Sequence, residues 1–345
     1  MRNKFIIWGL ALILFSCSKI EPIEIIAPER TINAELLKQF KADLNNRQIS
    51  IGMIYGWGKV DKSSLAHTPD SLDIIVVKDG YSNLTAFQKN DLAITRQKKA
   101  TKVLIGIDLN KRLAEYDQQA ELEFAKRKAT VELAWASLNP PLTESQKIDS
   151  LNKINLSVIQ NVTKMATNEL DTISANLIKN AEEFFDGISV EMPDNTGGIY
   201  TNKILTEFIA KLNNFAGKGK NHLLIIENPF TDLHTFSDQV NWFVFKQNPS
   251  IASLLGYEMM AYNWSTTRFI PSADFSSEEN IKGYPDSKLF IEGGKPSQSL
   301  ELTHWNVSNK KGVAFYHIEA DYTNIVGRNT YTALHYAINK LQASK

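Results

Sequence analysis

The chain has 345 residues with 38 Lys and Arg against 38 Asp and Glu, so its formal net charge is zero. No excess basic field exists to hold nucleic acid or an anionic surface. A hydrophobic share of 43% and a charged share of 22% belong to a globular chain, not to a disordered or fibrous one. A single Cys excludes a disulfide framework and a multi-cysteine zinc site within the chain.

At the start, Arg2 and Lys4 precede an apolar run from Phe5 to Phe15, followed by Ser16 and Cys17. A basic start, a short apolar run and a small residue before the cut are the parts of a secretory signal, too short for a spanning helix. Leu14-Phe15-Ser16-Cys17 resembles the lipobox of bacterial lipoproteins, in which the cysteine is acylated and becomes the mature N-terminus. Segment 1–17 is therefore expected to be a removable leader ending at the lipidation site Cys17. Segment 18–48, with Pro22 and Pro28, is expected to be a tether and an N-terminal helix. The folded part is then expected to be lipid-anchored and extracytoplasmic, at the outer membrane or the cell surface.

From residue 49 onward, short β-rich runs recur. They are Ile51–Trp57, Asp73–Val77, Val103–Ile107, Phe185–Glu191, His222–Glu227, Tyr257–Tyr262, Lys288–Glu292 and Val313–Glu319. Continuous apolar character fits strands covered on both faces, as in a parallel sheet. Between them lie stretches with helical spacing: Ile204, Phe208, Ile209 and Leu212, then Val240, Phe243 and Val244, and finally Leu334, Ile338 and Leu341. Eight strands alternating with helices predict an α/β fold, a (β/α)8 TIM barrel over 49–345. An open doubly wound sheet is the alternative, but no Gly-x-Gly-x-x-Gly follows any run.

One connection is too long. Segment 108–184, after the third run, is expected to be a two-helix insertion. Lys111–Leu138 is charged and helix-favouring, and Asn139-Pro140-Pro141 stops it. Thr143 with Gln146 then reads as a capping box, and Ile148, Leu151, Ile154, Val158, Val162 and Met165 keep helical spacing.

The fourth run reads Phe184-Phe185-Asp186-Gly187-Ile188-Ser189-Val190-Glu191-Met192-Pro193-Asp194. It resembles the fourth strand of glycoside hydrolase family 18, the chitinases and endo-β-N-acetylglucosaminidases, whose motif is Asp-Gly-x-Asp-x-Asp-x-Glu. Met259-Met260-Ala261-Tyr262-Asn263-Trp264 resembles that family's sixth strand, and Gly312–Asp321 its eighth. Pro69–Ile74 and Thr101–Leu104 are similar to the second and third strands of its endo-glycosidase branch, found in glycan-foraging Bacteroidetes lipoproteins. The resemblance implies a family 18-like barrel whose ligands contain N-acetylglucosamine, from an N-glycan core or a chitin-like oligomer.

In that family the motif's Glu protonates the leaving glycosidic oxygen while the substrate's N-acetyl carbonyl attacks the anomeric carbon, oriented by the Asp two residues earlier. Carried onto this chain, Asp186 and Gly187 keep the motif's frame, Ser189 takes the second Asp, Glu191 the third, and Pro193 the catalytic Glu. Proline has no proton to give, and loss of a positioned general acid costs about 10²–10⁴-fold. Three carboxylates remain as substitutes: Glu191 re-aimed by a bulge, or Glu227 or Glu292 acting from a strand end.

A mouth without its acid can still stack sugars on aromatic faces and fix hydroxyls with polar groups. The candidates are Trp57, Tyr81, Ser189, Tyr262, Asn263, Trp264 and Tyr316, with Tyr55 at another strand end. Core packing is the competing reading for each ring. His317, Glu319 and Asp321 at period two are a weak metal alternative, and neither His-Glu-x-x-His nor Gly-x-Ser-x-Gly occurs. Neither metal nor cofactor is expected. The expected function is a non-catalytic or weakly catalytic glycan-binding lipoprotein working beside outer-membrane glycan-import partners. The alternatives are an endo-β-N-acetylglucosaminidase using Glu191, and a partner-binding scaffold of a glycan-import complex.

Overall fold

The computed structural model describes residues 34–59, 63–247, 252–291, 294–322 and 330–343. Cys17, the leader, the tether up to residue 33 and Glu292 lie outside them. Eight parallel strands close into a barrel in sequence order, β1 pairing with both β2 and β8. They are β1 Ile49–Ile54, β2 Ile74–Val77, β3 Lys102–Asp108, β4 Gly187–Glu191, β5 Leu223–Glu227, β6 Trp242–Phe245, β7 Phe269–Asp274 and β8 Gly312–Tyr316. The helices are α1 Ala34–Ala42, α2 Ala86–Lys99, α3 Leu109–Trp135, α4 Glu144–Phe184, α5 Asn202–Phe215, α6 Leu254–Asn263, α7 Glu278–Lys282, α8 Gln298–His304 and α9 Thr332–Ala343. Among the described residues, no helix is long and apolar enough to cross a membrane.

The barrel is filled by alternate residues of its strands: Ile49, Ile51 and Met53, then Ile74 and Val76, Trp242 and Val244, and their counterparts. The other phase of each strand packs outward against the helices, so the strands are buried on both faces. Gly187 is fixed by this closeness. A Cβ there would lie 2.2 Å from the Leu223 carbonyl oxygen, where β4 meets β5.

Two expected strands are not strands. Tyr257–Tyr262 lies in α6, and 288–292 forms no strand among its described residues. Their places in the barrel belong to β6 and β7. Glu258, Met259, Met260 and Ala261 are good helix formers, and an apolar run of that length is compatible with either element. β6 contains Phe243 and Val244, whose spacing with Val240 suggests a helix from sequence. β7 contains Pro271, which lacks a ladder donor. Here Tyr257 Oη donates to the Ser272 carbonyl at 2.7 Å and accepts from Ser272 N at 3.3 Å, and Ser272 Oγ donates to the Phe245 carbonyl at 2.9 Å.

The insertion forms as expected between β3 and β4. Thr143 and Gln146 make the reciprocal capping box that opens α4. The buried stripe of α4 runs through Val158, Val162, Ala166, Leu170, Leu177 and Ala181. Ile148 and Met165, expected on that stripe, are exposed.

Two lysines are buried at the N-terminal side of the barrel. Lys41 Nζ donates to the Leu72 carbonyl and to Thr101 Oγ1, both at 2.6 Å, and Lys310 Nζ to the carbonyls of Leu302 and Trp305, both at 2.6 Å. Burial pushes each ammonium down to about 7. An unfolded lysine keeps its proton to about pH 10.4. Between those values the unfolded state binds more protons, so stability rises with pH. Urea midpoints should therefore climb from pH 7 towards pH 10. A flat profile with wild type, or one unchanged by Lys310→Met, would contradict this.

Candidate functional site

The upper end of the barrel interior is polar. Period two along each strand carries the inward phase past the apolar filling to Tyr55, Lys78, Glu191, Glu227, Lys246, Asp274 and Tyr316. At its centre Lys78 Nζ lies 2.8 Å from Glu191 Oε2 and 2.9 Å from both oxygens of Glu227. Lys246 Nζ reaches the other Glu191 oxygen at 2.6 Å. Ser189 Oγ donates to Glu227 Oε1 at 2.7 Å, and Tyr316 Oη donates to Glu227 Oε2 at 2.6 Å. Both carboxylates therefore have every oxygen engaged. Glu191 is 1% exposed and Glu227 0%, while the Lys246 side chain is 36% exposed and faces the opening.

The charge states follow from this packing. Burial alone would push the Glu191 carboxyl up, but Lys78 and Lys246 outweigh it and hold it below the ordinary carboxylate range. For Lys78, burial opposes the charge, yet the two carboxylates raise its ammonium above the usual lysine value. Burial and the neighbouring carboxylates keep the Tyr316 phenol protonated, as a donor to Glu227 must be. Glu191 is thus a carboxylate with two cationic partners. In this arrangement it has no proton to deliver, whereas a general acid must be protonated at its working pH.

No bulge re-aims it. β4 runs in unbroken register with both neighbours, Glu191 opposite Asp108 and opposite Glu227, and Met192 N continues the ladder to the Glu227 carbonyl at 2.9 Å. Pro193 follows, buried.

The remaining sequence-derived residues fall in several places. Asp186 stands at the opposite end of β4, where its carboxylate accepts from Val103 N at 2.9 Å and pairs with Arg96 and Lys102. It ties β3 to β4. Trp57 is core: its Nε1 donates to Asp91 at 2.9 Å and its ring meets Phe185 edge-on. Tyr81, just after β2, is half-buried. Tyr262, Asn263 and Trp264 are displaced by the correction to the sixth strand. They end α6, which leads to the start of β7, so they lie at the other end of the barrel from Glu191. Tyr262 is 82% exposed there, and Trp264 is 4% exposed, stacked on His234 at 3.7 Å.

His317, Glu319 and Asp321 do not share a strand face. β8 stops at Tyr316, His317 takes a left-handed backbone with φ 51°, and a short helical turn over Ile318–Asp321 follows. His317 Nδ1 lies 2.9 Å from Asp274 Oδ1, its ring stacks on Tyr55 at 4.0 Å, and Asp321 accepts from Leu334 N at the start of α9. Among the described residues, no group of His, Cys, Asp and Glu is placed to hold a metal ion. Sequence reasoning missed Lys78 and Lys246. Lys78 was within reach, two residues past Val76 on a strand read from the sequence, whereas Lys246 follows Val244 on β6, which the sequence reads as helix.

No protein-family description matches the chain, and no curated protein matches it. Among solved structures it is similar to a selenomethionine-labelled variant of BT1044, with 16% identity, a TM-score of 0.57, and coverage of 90% of this chain and 93% of that one. It is also similar to a chitinase from Bacteroides thetaiotaomicron, at 12% identity and TM-score 0.48 over 86% and 96% of the two chains. A third is the chitinase ICChI from Ipomoea carnea, at 15% identity and TM-score 0.38 over 78% and 95%. At these identities the likeness to BT1044 establishes a shared barrel fold.

Proposed function

We propose that this chain is a non-hydrolytic glycan-binding protein built on a family 18-like barrel, held to a membrane through Cys17 on the extracytoplasmic side. One observation supports the loss of hydrolysis above the others: Lys78 bridges Glu191 and Glu227, the two substitute carboxylates at the barrel mouth, into a buried, saturated network. Proline at 193 agrees with it from the sequence side. Glu191 cannot take over as acid without breaking two ion pairs and losing the partners that keep it ionised. The sequence resemblance of the fourth and eighth strands to family 18 is what points to ligands containing N-acetylglucosamine. Delivery of such glycans to a neighbouring import system is the role that fits a tethered binder.

The test is to incubate the mature protein with N-glycoproteins and chitin oligomers and to analyse released sugar by mass spectrometry. Neither wild type nor Glu191→Gln should release any, and uncleaved N-acetylglucosamine oligosaccharides should bind. Release by wild type that disappears in Glu191→Gln would overturn the reading in favour of an endo-glycosidase. Absence of both release and binding would leave the scaffold role.

A further inference from the structure

We propose that the glycan is held outside the barrel mouth, in a cleft between the β2–α2 connection and the C-terminal third of α4, and that its ligand is an uncharged oligosaccharide. The inference rests on the glycan-binding reading and says where the sugar sits.

At the mouth, the polar groups that would grip a sugar already grip each other: Ser189, Tyr316 and Lys78 all engage Glu227. Sugars also need an accessible ring face to stack on. Trp57, Trp264 and Tyr316 are buried in the core. Tyr81 is half-buried, and beside it opens a cleft of about 790 Å³, within the usual range of about 300–1,000 Å³ for ligand sites. One wall is Ser82 and Asn83 of the connection after β2. The other is Asn176, Leu177 and Asn180 of α4. Asn176 and Asn180 are four residues apart and so share a helical face.

The lining chemistry selects the ligand. Charge in the lining is balanced or engaged: Lys89 lies over the Phe184 ring at 5.3 Å, Arg112 pairs with Glu115 at 3.0 Å and Glu169 at 3.6 Å, and Lys179 and Glu183, of opposite sign, stand one helical turn apart on α4. Among the described residues, the side-chain amides of Asn83 and Asn176 make no protein hydrogen bond. Amides beside one aromatic ring offer donors and acceptors to hydroxyl and acetamido groups without calling for a charge. The insertion thereby acquires a role as one wall of a binding site.

The experiment is calorimetric titration of the whole mature protein with chitotetraose, and with cellotetraose as the probe lacking acetamido groups. Tyr81→Ala and Asn176→Ala should each weaken binding by about tenfold, the equivalent of about 1.4 kcal/mol. Tyr262→Ala should leave it unchanged. Asn176 is exposed on α4, so its substitution leaves the fold intact and a loss there reads contact alone. Unchanged binding in both cleft variants, with loss in Lys246→Ala, would return the ligand to the mouth and overturn the proposal while keeping the glycan reading. No binding of either probe by wild type would remove the glycan reading and the cleft with it.

Discussion

Lys78→Met should cost about 3–5 kcal/mol of folding stability, the usual effect of removing one partner from a buried ion pair. The lysine side chain is 2% exposed and stands between two carboxylates that are themselves almost wholly buried. Methionine fills nearly the same space, so the loss is electrostatic and not a cavity. Glu191 keeps Lys246, but Glu227 is left with only two neutral donors, Ser189 and Tyr316. A buried carboxylate left without a cation is strongly disfavoured. In wild type Glu191 is held below its ordinary value, so its contribution is present above about pH 4.3 and is lost as pH falls. In Lys78→Met Glu191 keeps only one of its two cationic partners, so this acid-side loss becomes smaller. Urea unfolding from pH 7 down to about pH 2 reads both effects. Adding Glu227→Gln to Lys78→Met should recover most of the loss, because the pair is coupled. A Lys78→Met protein as stable as wild type, with an unaltered pH profile, would show that the network does not hold the mouth together.

The barrel was legible because its signals are redundant. Six apolar runs fall on real strands, and the count of eight with helices between them needs no single run to be right. Boundaries inside the chain were harder. β6 has four residues, too few for period two to be told from helical spacing, and Pro271 hides β7 behind a residue that normally ends strands. The site was legible by half. Reading β4 at period two places Ser189 and Glu191 inward, as found, and Pro193 stands where the motif it resembles has its Glu. What the sequence hides is the partner set. Glu191 and Glu227 look like spare catalysts until Lys78, 113 residues before the first of them, is seen between them. Long-range pairing of this kind depends on strand order in space, and a local pattern does not contain it. The helical insertion was read correctly as a pair, yet its buried stripe steps by four through Val158, Val162, Ala166 and Leu170, which leaves Met165 and the earlier Ile148 exposed.

The contrast between two adjacent aromatics gives the second large effect. Trp264→Ala should lower stability by about 3–5 kcal/mol, the cost of emptying a large buried aromatic site, whereas Tyr262→Ala should stay within about 0.5 kcal/mol. Sequence similarity alone gives both rings the same job, as sugar contacts on a sixth strand. The helix changes that, because residues two apart on a helix face different directions. Tyr262 points to solvent on the last turn of α6. Trp264, just past its end, turns inward onto His234 and meets Phe243 and Phe245 with ring centroids 5.2 Å away. Those two phenylalanines are the outward face of β6, so Trp264 seals the wall between that strand and α6. Its backbone carbonyl also accepts from Asn309 Nδ2 at 3.1 Å and from Thr267 Oγ1 at 2.8 Å, which fixes the turn into β7. Thermal and urea unfolding of the two variants separate the cases. Chitotetraose titration at a temperature where both are folded should show neither variant altered in affinity. If Trp264→Ala kept full stability but lost sugar, the ring would belong to a binding surface and the helical placement of α6 would be wrong.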